Sequence, residues 1–270
     1  LVYYVSMFKI IIYFIDFFFL FSLKRNKEGY FIRKVLERGN YYLGKTKNYD
    51  QFDLEVKYVK TFLNEKNLNI CIDIGGHRGD YSKELLRNFD IKQLIIFEPS
   101  YENYKYLKTQ FNDNNIRLEN FAVSSTSGNQ TFYYHNHNSS LSSLHLRNIF
   151  KNDKNINSYE VEVVSLQEYL KKNQEIEIID LIKIDIEGNE YEAIKGLGSS
   201  IKMVRVIQFE FGSTFVDTKI PFFQFWTLLT ENGFEIFRMG PVNLFEVKSY
   251  SIEEEFIEYS NFIAVNKKYI

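Results

Sequence analysis

The run Ile70-Cys71-Ile72-Asp73-Ile74-Gly75-Gly76-His77-Arg78-Gly79-Asp80 constrains this chain more than any other. Isoleucines on either side of Cys71 suit a short buried strand, and glycines at 75, 76 and 79 allow the backbone to turn tightly. From Asp80 onward, Tyr81, Leu85, Leu86 and Phe89 recur on one helical face. A strand entering a helix through a glycine turn opens a βαβ unit, and the helix N-terminus offers N–H groups to a carboxylate or phosphate. A tight βα turn with no ligand is the plainer alternative.

The chain after residue 69 repeats this alternation. Leu94-Ile95-Ile96-Phe97 is a second strand, followed by a helix entered through Pro99-Ser100. A third strand is expected near Leu118–Val123, with an added antiparallel strand over Gln130–His135. Asn136–Ser158 is expected to be a long polar lid or substrate loop. Extended Glu160–Val164 follows, and Ser165-Leu166-Gln167-Glu168 forms a capping box. Ile178–Ile186, Val204–Phe211, Phe234–Met239 and Phe262–Val265 complete the strands, and Pro221 and Gly233 bracket a helix. This pattern predicts an α/β fold over a mostly parallel sheet.

At 270 residues, with 45% hydrophobic and 25% charged residues, the chain is excluded from the disordered, collagenous and polytopic membrane classes. A net charge of -2 from well-mixed charges gives no basic field for nucleic acid. The lone Cys71 excludes an internal disulfide and a cysteine zinc site, and fits a cytoplasmic protein.

Ile10–Leu23 is nearly all apolar, interrupted by Asp16, preceded by Lys9 and closed by Lys24, Arg25 and Lys27. It is short for a membrane span and lacks a small-residue cleavage site. A helix packed on its own domain or on a second subunit is the first expectation, peripheral membrane contact the second and a true anchor the third; Met7 is an alternative start. Phe52, Val56, Val59, Phe62 and Leu63 mark a lead-in helix, so the expected division is 1–27 apolar helix, 28–67 helical lead-in and 68–270 main domain.

Glu98 ends the second strand, where a carboxylate accepts hydrogen bonds from both hydroxyls of a ribose. That points to an adenosine-bearing cofactor, either a nicotinamide dinucleotide or S-adenosylmethionine. A G-x-G-x-x-G fingerprint from Gly75 would need glycine at 77 and 80, where the chain has His77 and Asp80. Lys183, Asp185 and Glu187 share one face of a strand that should be apolar, and the two carboxylates emerge at its carboxyl end, where open α/β sheets bind ligands. A structural pair of Lys183 with a carboxylate, Glu210 included, is the alternative. His135 and His137, with no nearby acidic partner, make a weak metal signal, and no metal is expected.

Asp73 to Ser82, Phe97-Glu98-Pro99, Asn120 to Ser124, Ser143-Leu144 and Ile179 to Glu190 together, in this order and spacing, resemble the FkbM family of S-adenosylmethionine-dependent methyltransferases over roughly residues 68–212. The resemblance implies a Rossmann-like class I methyltransferase fold: a seven-stranded, mostly parallel sheet with an antiparallel last strand and helices on both faces, here with an N-terminal helical extension. It also implies O-methylation of a sugar, glycan or other small hydroxyl acceptor. Carried over by residue, Asp73, Gly75 and Gly79 line the methionine side with Gly76 and Tyr81. Glu98 holds the ribose beside Pro99, Ala122 borders the adenine, and Asp185 faces the sulfonium. For proton removal Asp185 comes first and Glu187 second, with Lys183 orienting a carboxylate and His145 an outside candidate. A nicotinamide-dependent nucleotide-sugar oxidoreductase and a noncatalytic membrane-associated binding module are the rival readings.

Overall fold

A computed structural model of the protein describes residues 12–21, 29–46, 52–136, 138–151, 153–173, 176–255 and 258–269. Met7, the basic cluster Lys24, Arg25 and Lys27, and His137 lie outside the described residues. Helices α1 (residues 12–21), α2 (Tyr30–Tyr42) and α3 (Phe52–Phe62) precede the sheet. Then follow β1 (Asn67–Ile74), α4 (Asp80–Asn88), β2 (Asp90–Phe97), α5 (Tyr101–Gln110), β3 (Ile116–Glu119), β4 (Ala122–Ser124), β5 (Gly128–His135), β6 (Asn138–Ser143) and β7 (Ile156–Ser165). The chain continues through α6 (Leu166–Lys172), β8 (Ile179–Ile184), α7 (Glu190–Lys195), β9 (Val204–Gly212), α8 (Phe215–Thr218), α9 (Phe222–Glu231), β10 (Phe234–Met239), β11 (Leu244–Glu246) and β12 (Tyr259–Asn266).

The main sheet has the order β11-β10-β12-β9-β8-β1-β2-β3. From β9 to β3 the neighbours are parallel, and β12 runs antiparallel between β9 and β10. This is the expected Rossmann-like methyltransferase sheet with its reversed last strand. It carries eight strands rather than seven, because Gly240-Pro241 turns the chain back and lets Leu244–Glu246 pair with β10.

Alternation along β1 divides the core. Ile70, Ile72 and Ile74 join one cluster with Ile182, Ile184, Phe209 and α6, α7 and α9, while Cys71 joins the other with Leu94, Leu181, Val206 and α3 and α4. The central strands thus bury apolar side chains on both faces, as cover by helices on both sides requires, with the polar exceptions Asp73, Asp180, Lys183, Gln208 and Glu210.

Two expectations change in the middle of the chain. The strand foreseen over Leu118–Val123 is split: Asn120 Nδ2 donates to the Glu98 and Pro99 carbonyls and turns the chain off the sheet edge, so Ala122–Ser124 starts a second sheet. That sheet has the order β4-β7-β5-β6, and it contains the expected antiparallel strand as β5. Nine of the 23 residues of the foreseen loop at Asn136–Ser158 are strand, since Asn and Ser in β6 and early β7 mask the extended backbone. Val161 and Val163 face inward and Glu160 and Glu162 outward, as a half-buried strand demands.

The capping box at Ser165 forms with a relay. Ser165 Oγ accepts Glu168 N at 3.4 Å, while Ser165 N donates to Ser127 Oγ at 2.9 Å and that hydroxyl donates to Glu168 Oε2 at 2.5 Å. Ser127 thus bridges the gap that the glutamate closes in the direct form.

Candidate active site

At the carboxyl ends of β1, β2 and β8 the chain encloses a cavity of about 320 Å³. The glycine turn after β1 forms its floor. Gly75 stands at φ +86, and a Cβ there would lie 2.0 Å from the Asp185 carbonyl oxygen, so only glycine lets the turns after β1 and β8 meet. Asp185 N donates to Ile74 O at 3.0 Å and fixes that approach. The N–H groups of the glycine turn itself are used within the protein. Those of Gly75 and Gly76 both donate to Phe97 O at 3.0 Å, and that of Gly79 to Gly76 O at 2.7 Å.

Gly75, Gly76, Tyr81, Glu98, Pro99, Ala122, Lys183, Asp185 and Glu187 all line the cavity. Asp73 and Gly79 do not. Asp73 is buried beneath it, accepting from Ser82 Oγ at 2.6 Å, and Gly79 caps α4 against Phe111.

Glu98 is buried, and each oxygen accepts one backbone N–H: Oε2 from His77 and Oε1 from Ser100, both at 2.8 Å. The Asn103 side chain is a third donor to this carboxylate, so of its four lone-pair sites about one stays open toward the cavity for a ribose hydroxyl. Burial pushes its pKa up to about 7, against the opposing hydrogen bonds from Ser100 and His77. His77 reaches it at φ +46, a left-handed conformation that L side chains adopt at a cost.

Across the cavity, β8 ends at Ile184, earlier than the sequence pattern suggests, and the next four residues form a turn. Glu187 therefore does not share a strand face with Lys183; it sits at φ +54 in the turn. Glu190 braces that turn, its Oε1 accepting Ile186 N at 3.0 Å and its Oε2 accepting Gly188 N at 2.9 Å. Burial pushes the Glu190 carboxyl up to about 7.

Lys183 pairs with Asp73 at 3.6 Å and Asp185 at 3.4 Å, its partners being these rather than the suggested Glu210. Burial works against the ammonium, but the charges of Asp185 and Asp73 outweigh it and raise its pKa. The side chain of Asp185 is 34% exposed and that of Asp73 only 1%, so of the two, Asp185 opens to the cavity.

Sequence reasoning missed Glu55, Tyr259 and Phe132 as wall residues and offered Glu210 only as a structural partner of Lys183. Glu55 reaches in from α3, bonded by Gln208 Nε2 at 2.6 Å and Asn261 Nδ2 at 2.8 Å. Glu210 and Tyr259 come from β9 and β12. Burial and then the negative charges of Asp185, Glu187 and Glu190 drive the Glu210 carboxyl well above its ordinary range. Phe132 closes one side from the second sheet. No local motif marks these positions; tertiary topology brings them in.

The segment after β6 straps over the site. Ser143 Oγ donates to Glu187 O at 2.8 Å, His145 Nε2 lies 3.1 Å from Asn189 Oδ1, and Arg147 reaches Glu187 at 3.3 Å and Asp217 at 3.7 Å. His145 is thus fixed at the edge and does not line the cavity. His135 has an acidic partner after all, Asp153 at 3.4 Å across β5 and β7. Among the described residues no cluster of side chains suits a metal ion.

The donor set fits S-adenosylmethionine. A buried carboxylate with a lone pair open to the cavity suits a ribose hydroxyl, Phe121, Ala122, Val123 and Phe132 suit a flat ring, and Asp185 and Glu187 suit a sulfonium and an ammonium.

Residues 73–236 match the family model described as the methyltransferase FkbM domain. No curated protein matches significantly. Similar solved structures include the methyltransferase FkbM from Methylobacillus flagellatus, with 13% identity, a TM-score of 0.47 and coverage of 83% of this chain and 50% of that one. This chain thus spans half the length of that protein. A precorrin-6y methyltransferase from Geobacter metallireducens gives 10% identity, a TM-score of 0.40 and coverage of 78% and 87%. Spermidine synthase from Thermotoga maritima gives 14%, 0.42, and 81% and 60%.

Proposed function

This chain belongs to the FkbM methyltransferase family, and on that premise we propose that it moves a methyl group from S-adenosylmethionine to a hydroxyl oxygen of a sugar, glycan or other small polar acceptor. The observation that carries the reading is the delivery of the Gly75 turn, Glu98 and Asp185 to one cavity by the ends of three adjacent parallel strands. The family match favours methyl transfer over the hydride transfer that the same fold and Glu98 would also allow.

Glu98 receives a ribose hydroxyl while its backbone partners hold the carboxylate in place. Ala122 and Phe132 bound the adenine side, and Gly75 and Gly76 leave room for the methionine part along the floor. When bound, S-adenosylmethionine supplies an electrophilic methyl group on a sulfonium for in-line displacement. Asp185 accepts the proton of the attacking hydroxyl, and Lys183 fixes the orientation of that carboxylate. Glu187 is second in line, because Arg147 already occupies it. The strap from Ser143 to Arg147 holds the Glu187 turn at the rim of the cavity.

Calorimetric titration with S-adenosylmethionine, S-adenosylhomocysteine and NAD tests the cofactor, with Glu98→Ala as the control. Micromolar binding of the two sulfur ligands, weakened at least tenfold by the substitution, supports the reading; binding of NAD alone overturns it. Transfer of a labelled methyl group to a panel of polyols and glycans then tests the acceptor, and Asp185→Asn is expected to keep cofactor binding while losing transfer.

A further inference from the structure

The balanced total charge hides a division. Residues 1–47 hold nine Lys and Arg against three acidic residues, whereas the rest of the chain holds 24 against 32. The charges are therefore not evenly mixed along the sequence. The basic residues follow directly on the apolar run that contains α1.

Helix α1 exposes Tyr13, Phe14, Phe17, Leu20 and Phe21 at 54–78% of their surface. Helix α2 buries none of its residues and exposes Phe31, Val35 and Leu36. Phe18 and Phe31 meet edge-on with ring centres 5.2 Å apart, so the two helices touch each other while their other apolar side chains face outward. A helix apolar on nearly every side needs an apolar medium around it.

Three observations decide which medium. The described helix α1, residues 12–21, amounts to about 15 Å at ~1.5 Å per residue, against a hydrocarbon core of about 30 Å, and among the described residues no helix is long and apolar enough to cross a membrane. Phe and Tyr followed by Lys and Arg is the composition of a headgroup boundary. A second copy docked on the same surface would bring two strongly basic segments together, whereas an anionic lipid surface complements them.

We propose that α1 and α2 lay the protein on an anionic lipid surface, with the aromatic helix in the headgroup boundary and Arg33, Lys34, Arg38 and Lys45 against lipid phosphates. The attachment is built into the catalytic body. Arg238 Nε donates to Leu43 O at 2.9 Å and Glu258 N to Lys45 O at 3.1 Å, beside Tyr259 of the cavity wall. The surface-bound protein thus holds that end of the cavity near the lipid. This proposal is independent of the cofactor and of the reaction.

Flotation of the full chain with vesicles of phosphatidylcholine and phosphatidylglycerol, against phosphatidylcholine alone, tests it, with sedimentation velocity run without lipid. The chain is expected to float with the anionic vesicles and at least tenfold less with the neutral ones. Phe14→Glu with Phe17→Glu is expected to weaken flotation at least tenfold while leaving titration with S-adenosylmethionine unchanged; Lys34→Glu with Arg38→Glu is expected to lower it in the anionic vesicles. Failure to float, equal flotation with both vesicles, or a stable dimer that the phenylalanine substitutions dissolve would each overturn the proposal.

Discussion

Glu98 Oε2 accepts the backbone N–H of His77 at 2.8 Å, and this bond joins the end of β2 to the glycine turn after β1. Because burial lifts the Glu98 carboxyl to about 7, it is part protonated at neutral pH, while a ribose hydroxyl favours its ionised form. Affinity for S-adenosylmethionine is expected to fall as pH drops below about 7, approaching tenfold per unit, with net proton release on binding. Titrations in buffers of different ionisation enthalpy measure that release; a flat profile from pH 5.5 to 8 would show that Glu98 does not receive the ribose.

The same burial shapes the stability of the unliganded protein. Glu98 and Glu190 both have folded pKa values of about 7, above the ordinary carboxyl value of 4.5. Their contribution is complete below about pH 4.5 and is lost as pH rises through about 7, on the order of 3 kcal/mol per group. Glu190→Gln keeps an oxygen for the N–H groups of Ile186 and Gly188 and removes the titration. Urea unfolding from pH 5 to 8 should therefore be less pH-dependent in that variant.

Lys183→Met is expected to destabilise the fold by about 3–5 kcal/mol, because Asp73 keeps its charge without the ammonium 3.6 Å away. Adding Asp73→Asn should recover part of the loss. Denaturation of the two single variants and the double variant measures the coupling, and strict additivity would count against the pair.

Gly75 and Gly233 share nearly the same backbone, at φ +86 and +85, but not the same surroundings. Gly233→Ala meets nothing within 4 Å and is expected to cost about 1–2 kcal/mol of backbone strain. Gly75→Ala must also displace the Asp185 carbonyl, so it should cost more than about 4 kcal/mol and abolish cofactor binding. Thermal melts and one titration separate the two.

Arg147→Ala should release the strap after β6. It removes the guanidinium from Glu187 and Asp217 while leaving Ser143 and His145 bonded. Faster hydrogen exchange over residues 143–150 is expected with the β1 and β8 amides unchanged. Equal protection in both proteins would show that the ion pairs contribute nothing to its closure.

The parallel half of the fold was legible because β1, β2, β8 and β9 each carry their own apolar run and turn residues. The glycine turn, Glu98 and Lys183-Ile184-Asp185 were legible for the same reason, since strand ends in such sheets face one site. Glu55, Glu210 and Tyr259 were not. They lie up to 204 residues apart in sequence and meet only through the order of the strands. The second sheet was hidden by composition, because β6 is mostly Asn and Ser and gains extended form from its pairing with β5. The length of β8 was overestimated because Asp185-Ile186-Glu187 keeps the alternation of a strand while its backbone has already turned.

The position of β12 governs when this protein can finish folding. Residues 259–266 fill the slot between β9 and β10, two strands made earlier that have no direct pairing with each other. During synthesis the sheet remains two separate pieces until that segment leaves the ribosome, and the Tyr259 side of the cavity is missing until the same moment. A nascent chain stalled before residue 259 would expose the edges of β9 and β10 to chaperones and would have no complete site, so activity reports that translation has passed this segment.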